Sequence, residues 1–155
     1  PELLSKTGAK VDVNGTTIKV QAPKELEAVS IATEVYPGFP TDMQAQWATM
    51  MTQANGVSTV TDTVYYDRFS YVPELTRLGA DMRLEKNTVT IFGKTDFEGA
   101  SVMSTDLRAS VSLVLAAMVA ENETEVLRVY HLDRGYENLE HKLNAVGAKI
   151  KRVDE

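Results

Sequence analysis

Hydrophobic and polar positions along this chain follow two periods. Alternation with period two marks Val11 to Val20 as a hairpin, and its Asn14-Gly15 suits a type I′ turn. Met82 to Phe92 repeats the pattern and turns at Lys86-Asn87, while Gln21 to Glu27 is a polar connector. Further strands are expected at Val29 to Thr33, Val57 to Asp62, Ala100 to Met103, Thr124 to Arg128 and, closing the chain, Lys149 to Val153. Met43, Trp47, Met50, Met51 and Ala54 fall at helical spacing, one apolar stripe that Gly56 should stop. Thr41 and Gln44 have the form of a capping box at its start, after the helix-incompatible Tyr36-Pro37-Gly38-Phe39-Pro40. Val72 to Leu78 and Tyr136 to Val146 read as helices, the second with Leu139, Leu143 and Val146 on one face.

One segment departs from amphipathic habit. From about Asp106 to Val119 a helix has almost no polar face beyond its first turn, and a helix apolar all round is buried all round. Usual layering leaves helices outside a sheet with one wet face. The expectation here is α/β with helices inside and strands wrapped around them.

Two short strings recur in order and at nearly equal spacing. Thr41-Asp42 and Asp67-Arg68 are answered by Thr105-Asp106 and Asp133-Arg134, and each set is closed by a Gly-Ala pair, at Gly79-Ala80 and Gly147-Ala148. Pro1-Glu2-Leu3-Leu4 running to Gly8-Ala9 matches Pro73-Glu74-Leu75-Thr76 running to Gly79-Ala80. Such self-similarity marks repeated folding units. Residues 1–22 then read as the tail of a preceding unit, 23–95 as one unit and 96–155 as the next. No Pro-Gly-rich linker divides them, so all belong to one domain.

Composition narrows the function classes. Apolar residues make 43% and charged residues 25% of the 155, ordinary values for a globular domain. The net charge of −6 argues against nucleic acid, which needs excess Lys and Arg along a phosphate track. The longest apolar run, Val111 to Ala120, is too short for a membrane span. Zero cysteines and two histidines make thiolate chemistry and a zinc site unexpected. No glycine-rich phosphate loop, nucleophile elbow or paired-His motif occurs, so neither metal nor cofactor is expected.

Acids and arginines remain. Asp42 and Asp106 open helices, where a carboxylate complements the dipole or, fixed at a cleft, accepts a hydrogen bond or proton from a substrate hydroxyl. Arg68 and Arg134 follow Asp67 and Asp133 among aromatic residues. Each is either a surface ion pair or one of two forks converging on an anion, oriented by its neighbouring Asp. Arg108 lies one turn into the apolar helix, where an unpaired charge is costly, so it needs a partner or a ligand. His131 reads as structural.

The strings resemble those of the UDP-N-acetylglucosamine enolpyruvyl transferases. Tyr36-Pro37-Gly38-Phe39-Pro40-Thr41-Asp42-Met43-Gln44-Ala45-Gln46 is similar to that family's signature, and three later stretches follow in the same order. They are Asp67-Arg68-Phe69 through Val72-Pro73-Glu74-Leu75, Asp106-Leu107-Arg108-Ala109-Ser110, and Tyr130 through Glu137. The resemblance covers nearly the whole chain and implies an inside-out α/β barrel of repeated βαβαββ units, helices buried and sheets outside. It further implies transfer of the enolpyruvyl group of phosphoenolpyruvate to the 3-hydroxyl of UDP-N-acetylglucosamine through a tetrahedral intermediate. That is a cytoplasmic step opening peptidoglycan synthesis, and hence serving cell shape and division.

By the same resemblance, Asp42 contacts the sugar hydroxyl, Val64 meets the UDP-sugar through its backbone, and Asp106 is a second active-site acid beside Arg108. Arg134 engages phosphoenolpyruvate and Arg68 supports the cleft. The chain resembles the C-terminal part of such an enzyme, so an N-terminal domain of the same polypeptide is the expected partner and the isolated chain is expected to be inactive. Two rivals stand beside this reading, a 5-enolpyruvylshikimate 3-phosphate synthase-like enzyme and a repeat-built binding module without chemistry.

Overall fold

In the computed structural model, which describes residues 1–153, the chain begins with α1 (Glu2–Lys6), β1 (Lys10–Asn14), β2 (Thr17–Gln21), β3 (Leu26–Glu27) and β4 (Ile31–Thr33). A 3₁₀ turn, Thr41–Met43, leads into α2 (Gln44–Met51), followed by β5 (Ala54–Asp62), α3 (Tyr71–Arg77), β6 (Asp81–Glu85) and β7 (Thr88–Gly93). The rest is β8 (Ser101–Met103), α4 (Leu107–Ala117), β9 (Glu125–Leu127), α5 (Tyr130–Asp133) and α6 (Leu139–Ala145). No helix among the described residues is long and apolar enough to cross a membrane.

The central sheet runs β3-β5-β7-β6, with β4 also on β5. β3 and β4 lie parallel to β5, whereas β7 is antiparallel to both β5 and β6. Beneath it lie α2, with six of eight residues buried, and α4, with seven of eleven buried. Trp47 and Met51 from α2, Val60, Leu75, Val89, Ile91 and Leu113 form one continuous core with them. The helices are therefore inside and the sheet outside, as expected. α4 is not apolar and buried all round, however, because Leu115 remains 36% exposed. All three Gly-Ala pairs turn the chain after a helix, with Gly8, Gly79 and Gly147 at φ of 89°, 110° and 102°, where any Cβ is strained.

Several expectations change in detail. The first hairpin turns at Gly15-Thr16, since Asn14 pairs with Thr17, and of the two turn residues only Gly15 has positive φ, which suits a type II′ turn. The second turns at Lys86-Asn87 as read. Their apolar faces differ: Val89 and Ile91 of the second are fully buried, whereas Val13 and Ile18 of the first, a cross-strand pair, are exposed. α2 ends at Met51, well before Gly56, because the chain leaves the helix to pair Ala54 with Leu26. The last helix starts beyond Tyr136, after Asn138 at φ 48°, and Tyr130–Asp133 forms a short helix of its own. No strand forms at 149–153, because the Asn144 side chain takes both backbone groups of Ile150, at 2.7 and 2.9 Å.

Candidate active site

The polar residues of interest gather where β4 and β5 end and α2 and α4 begin. The approach is a tight turn in which Gly38 donates its amide to Val35, and a Cβ on Gly38 would lie 2.4 Å from that of Glu34. It delivers Thr41 and Asp42 to the 3₁₀ turn.

No capping box forms there. Thr41 and Gln44 make no cap bond to the backbone, because both side chains are drawn to Asp62, the last residue of β5. Asp62 is fully buried. One carboxylate oxygen accepts from the Thr33 hydroxyl at 2.7 Å and from the amides of Val64 and Tyr65 at 2.9 and 2.8 Å. The other accepts from Thr41 at 2.5 Å and, more distantly, from Gln44 at 3.4 Å. Burial pushes the carboxyl up, but the hydrogen bonds from Thr41, Tyr65, Thr33 and Val64 outweigh it and hold it below the ordinary carboxylate range. Gln44 also donates to the Arg68 carbonyl and accepts from the Tyr71 hydroxyl, both at 2.7 Å; burial keeps that phenol protonated.

Asp42 stands in front of this network with its side chain 65% exposed. Its Oδ1 accepts from Arg68 Nη1 at 2.6 Å and from Arg108 Nε at 2.7 Å. The Arg108 hydrogen bond, aided by the charge of both guanidiniums, outweighs slight burial and holds the carboxyl below its usual range. Arg68 also donates to Thr41 Oγ1 at 3.2 Å and lies over the Tyr65 ring at 3.7 Å. Oδ2 of Asp42 and the outer nitrogens of both forks make no further bond among the described residues. The arrangement is a free carboxylate oxygen beside two partly unsatisfied guanidiniums, which suits a ligand carrying both a hydroxyl and an anionic group.

Asp106 is committed differently. Its Oδ1 caps α4 by accepting from the amides of Arg108 and Ala109, and its Oδ2 accepts from the Ser70 hydroxyl at 2.9 Å. Val64 has its amide bound to Asp62, which leaves its carbonyl for any ligand. Arg134 is exposed and has no partner among the described residues, although Gly135 beside it lies against Leu107 at the start of α4. Asp133 does not orient Arg134, because its carboxylate pairs with Arg152 at 2.7 and 2.8 Å. Asp42, Arg68 and Arg108 are thus in direct contact, Asp106 and Val64 adjoin them through shared partners, and Arg134 stands apart.

Asp62 and Ser70 join the site without having been singled out in the sequence, and Thr41, read there as a helix cap, joins it as a partner of Asp62 and Arg68. The readable signal for Asp62 was period two: Ser58, Val60 and Asp62 all face inward on β5, and an acid at an inward position needs partners.

The family described as EPSP synthase (3-phosphoshikimate 1-carboxyvinyltransferase) matches residues 1–143. A relative from Chlorobium phaeovibrioides named UDP-N-acetylglucosamine 1-carboxyvinyltransferase is 54% identical over 97% of this chain and 36% of its own length. One of the same name from Desulfosudis oleivorans is 51% identical over 97% of this chain and 36% of its own. This chain spans about a third of the length of these curated relatives. Among solved structures, the enolpyruvyl transferase NikO from Streptomyces tendae superposes with a TM-score of 0.88 at 29% identity, over 97% of this chain and 35% of that one. EPSP synthase from Acinetobacter baumannii, at 17% identity and a TM-score of 0.69, over 98% of this chain and 36% of its own, shares the fold. By matched residues and by architecture alike, this chain belongs to the EPSP synthase (3-phosphoshikimate 1-carboxyvinyltransferase) family.

Proposed function

We propose that this chain supplies part of the active site of a UDP-N-acetylglucosamine 1-carboxyvinyltransferase, a cytoplasmic enzyme of peptidoglycan synthesis. It contributes units 23–95 and 96–155, with 1–22 the tail of another, and works with a further domain of the same polypeptide. The observation that carries the reading is the meeting of Asp42, Arg68 and Arg108 at one carboxylate oxygen, at 2.6 and 2.7 Å. The names of the relatives support the choice of substrates.

In the proposed reaction the 3-hydroxyl of the sugar adds to C2 of phosphoenolpyruvate while C3 takes a proton. Loss of a proton and phosphate from the tetrahedral intermediate then leaves the enolpyruvyl ether. The free Oδ2 of Asp42 accepts the hydrogen bond of the sugar hydroxyl. Arg68 and Arg108 hold anionic oxygens of the donor, and Arg134 joins them from its loop. Held ionised by two arginines, Asp42 is a weak base. An anion that competes for those guanidiniums strengthens it, which couples donor binding to removal of the acceptor's proton. Asp106 orients Arg108 through the α4 cap. The isolated chain is expected to be inactive.

The test is phosphate release by the full-length protein carrying these residues, with phosphoenolpyruvate and either UDP-N-acetylglucosamine or shikimate 3-phosphate as acceptor. Turnover with the amino sugar alone supports the proposal. Turnover with shikimate 3-phosphate alone overturns it in favour of the sister reaction, and no turnover with either favours a binding module.

A further inference from the structure

We propose that Asp62 is a positioning residue that sets the orientation of the Arg68 guanidinium, an inference that rests on the transferase reading above. Both oxygens of this buried carboxylate hold groups that touch Arg68. On one side the Thr41 hydroxyl donates to Asp62 at 2.5 Å and accepts from Arg68 Nη1 at 3.2 Å. A carboxylate can only accept, so it compels the Thr41 proton to point inward and turns an oxygen lone pair outward to the guanidinium. On the other side the Tyr65 amide is bound at 2.8 Å, and this fixes the loop whose aromatic ring lies 3.7 Å from the Arg68 guanidinium. Arg68 is thereby held by a lone pair and by a ring face, with Asp42 as its third contact.

The other copy holds no counterpart of this acid: Thr33 and Asp62, paired at the end of the β4–β5 register, are fully buried, whereas Met103 and Leu127, at the end of the β8–β9 register, are exposed and half-buried. A buried carboxylate without an ion pair is expensive relative to an apolar residue. Its retention beside Arg68 is explained if its lone pairs aim the groups that aim the arginine.

The experiment is a double-mutant cycle in the full-length transferase, crossing Asp62→Asn with Arg68→Ala and reading kcat and the KM for each substrate. We expect Asp62→Asn alone to lower kcat/KM for phosphoenolpyruvate at least tenfold, with the KM for UDP-N-acetylglucosamine changed less than threefold. In the Arg68→Ala background it should cost less than threefold more. A kcat/KM within threefold of the parent, or an equal loss in both backgrounds, overturns the proposal, the latter because a merely structural role would act independently of Arg68. Should Asp62→Asn not fold, Thr41→Val removes one arm while leaving the carboxylate, and the same two outcomes decide. A folded parent protein that turns over neither acceptor overturns the transferase reading and this role together, whereas an active parent with additive losses overturns this role alone.

Discussion

The Thr-Asp and Asp-Arg strings do different work in 41–68 and in 105–134. In the first stretch Asp42 leaves its helix uncapped, turns to solvent and gathers two arginines. In the second, Asp106 caps its own helix and Asp133 is drawn off to Arg152. In the first copy the buried Asp62 at the end of β5 draws Thr41 and Gln44 away from the helix start. Repeated strings thus fix where a side chain stands in the fold, while its non-local partners decide what it does there.

The sharpest way to break the comparison is Asp42→Asn in the full-length protein, assayed for the proposed transfer. It is expected to slow phosphate release by about 10²–10⁴-fold, whereas Asp106→Asn, which keeps a capping acceptor, should leave the melting temperature of the chain nearly unchanged. Turnover by the Asp42 variant near that of the parent removes its proposed role as base.

Asp62→Asn should destabilise the chain by about 1–3 kcal/mol at neutral pH, because buried donors lose their acceptor. The sign with pH follows from the lowered carboxyl of Asp62. Its stabilisation is complete above the unfolded carboxylate pKa, near ~3.9, and is lost as pH falls through the lower folded value. Urea midpoints of parent and variant should therefore converge in acid, and a gap that widens there contradicts the network.

Asp106→Ala should cost about 0.5–2 kcal/mol as a lost cap, while Asp42→Ala, which caps nothing, changes the urea midpoint little. Equal losses erase the distinction between the copies. Smallest is Arg152→Ala, which breaks an exposed pair worth below about 1 kcal/mol. Its effect on melting should fade further in high salt.

Local features were legible from the chain: the turn at Lys86-Asn87, the helix ending before Gly79, the buried helix after Asp106. Expectations failed where a side chain outside the segment competed for its polar groups. The capping box at Thr41 lost to Asp62, and the strand at 149–153 lost to the Asn144 side chain. The site followed the same rule. Asp42, Arg68 and Arg108 could be named by type and spacing, but their meeting at one oxygen depends on α2 packing against α4 across 66 residues of chain. Arg134, equally plain in the repeat, meets none of them because its loop lies exposed beyond α5.

The single oxygen of Asp42 that clasps Arg68 and Arg108 makes the cleft an ionic instrument. Three charges meeting at a wet surface are screened over about 30 Å in dilute buffer of 0.01 M and over about 3 Å in 1 M salt. The choice of buffer accordingly becomes part of the chemistry: multivalent oxyanions in solution contend for the same two forks, and a kinetic constant measured among them describes a loosened clasp.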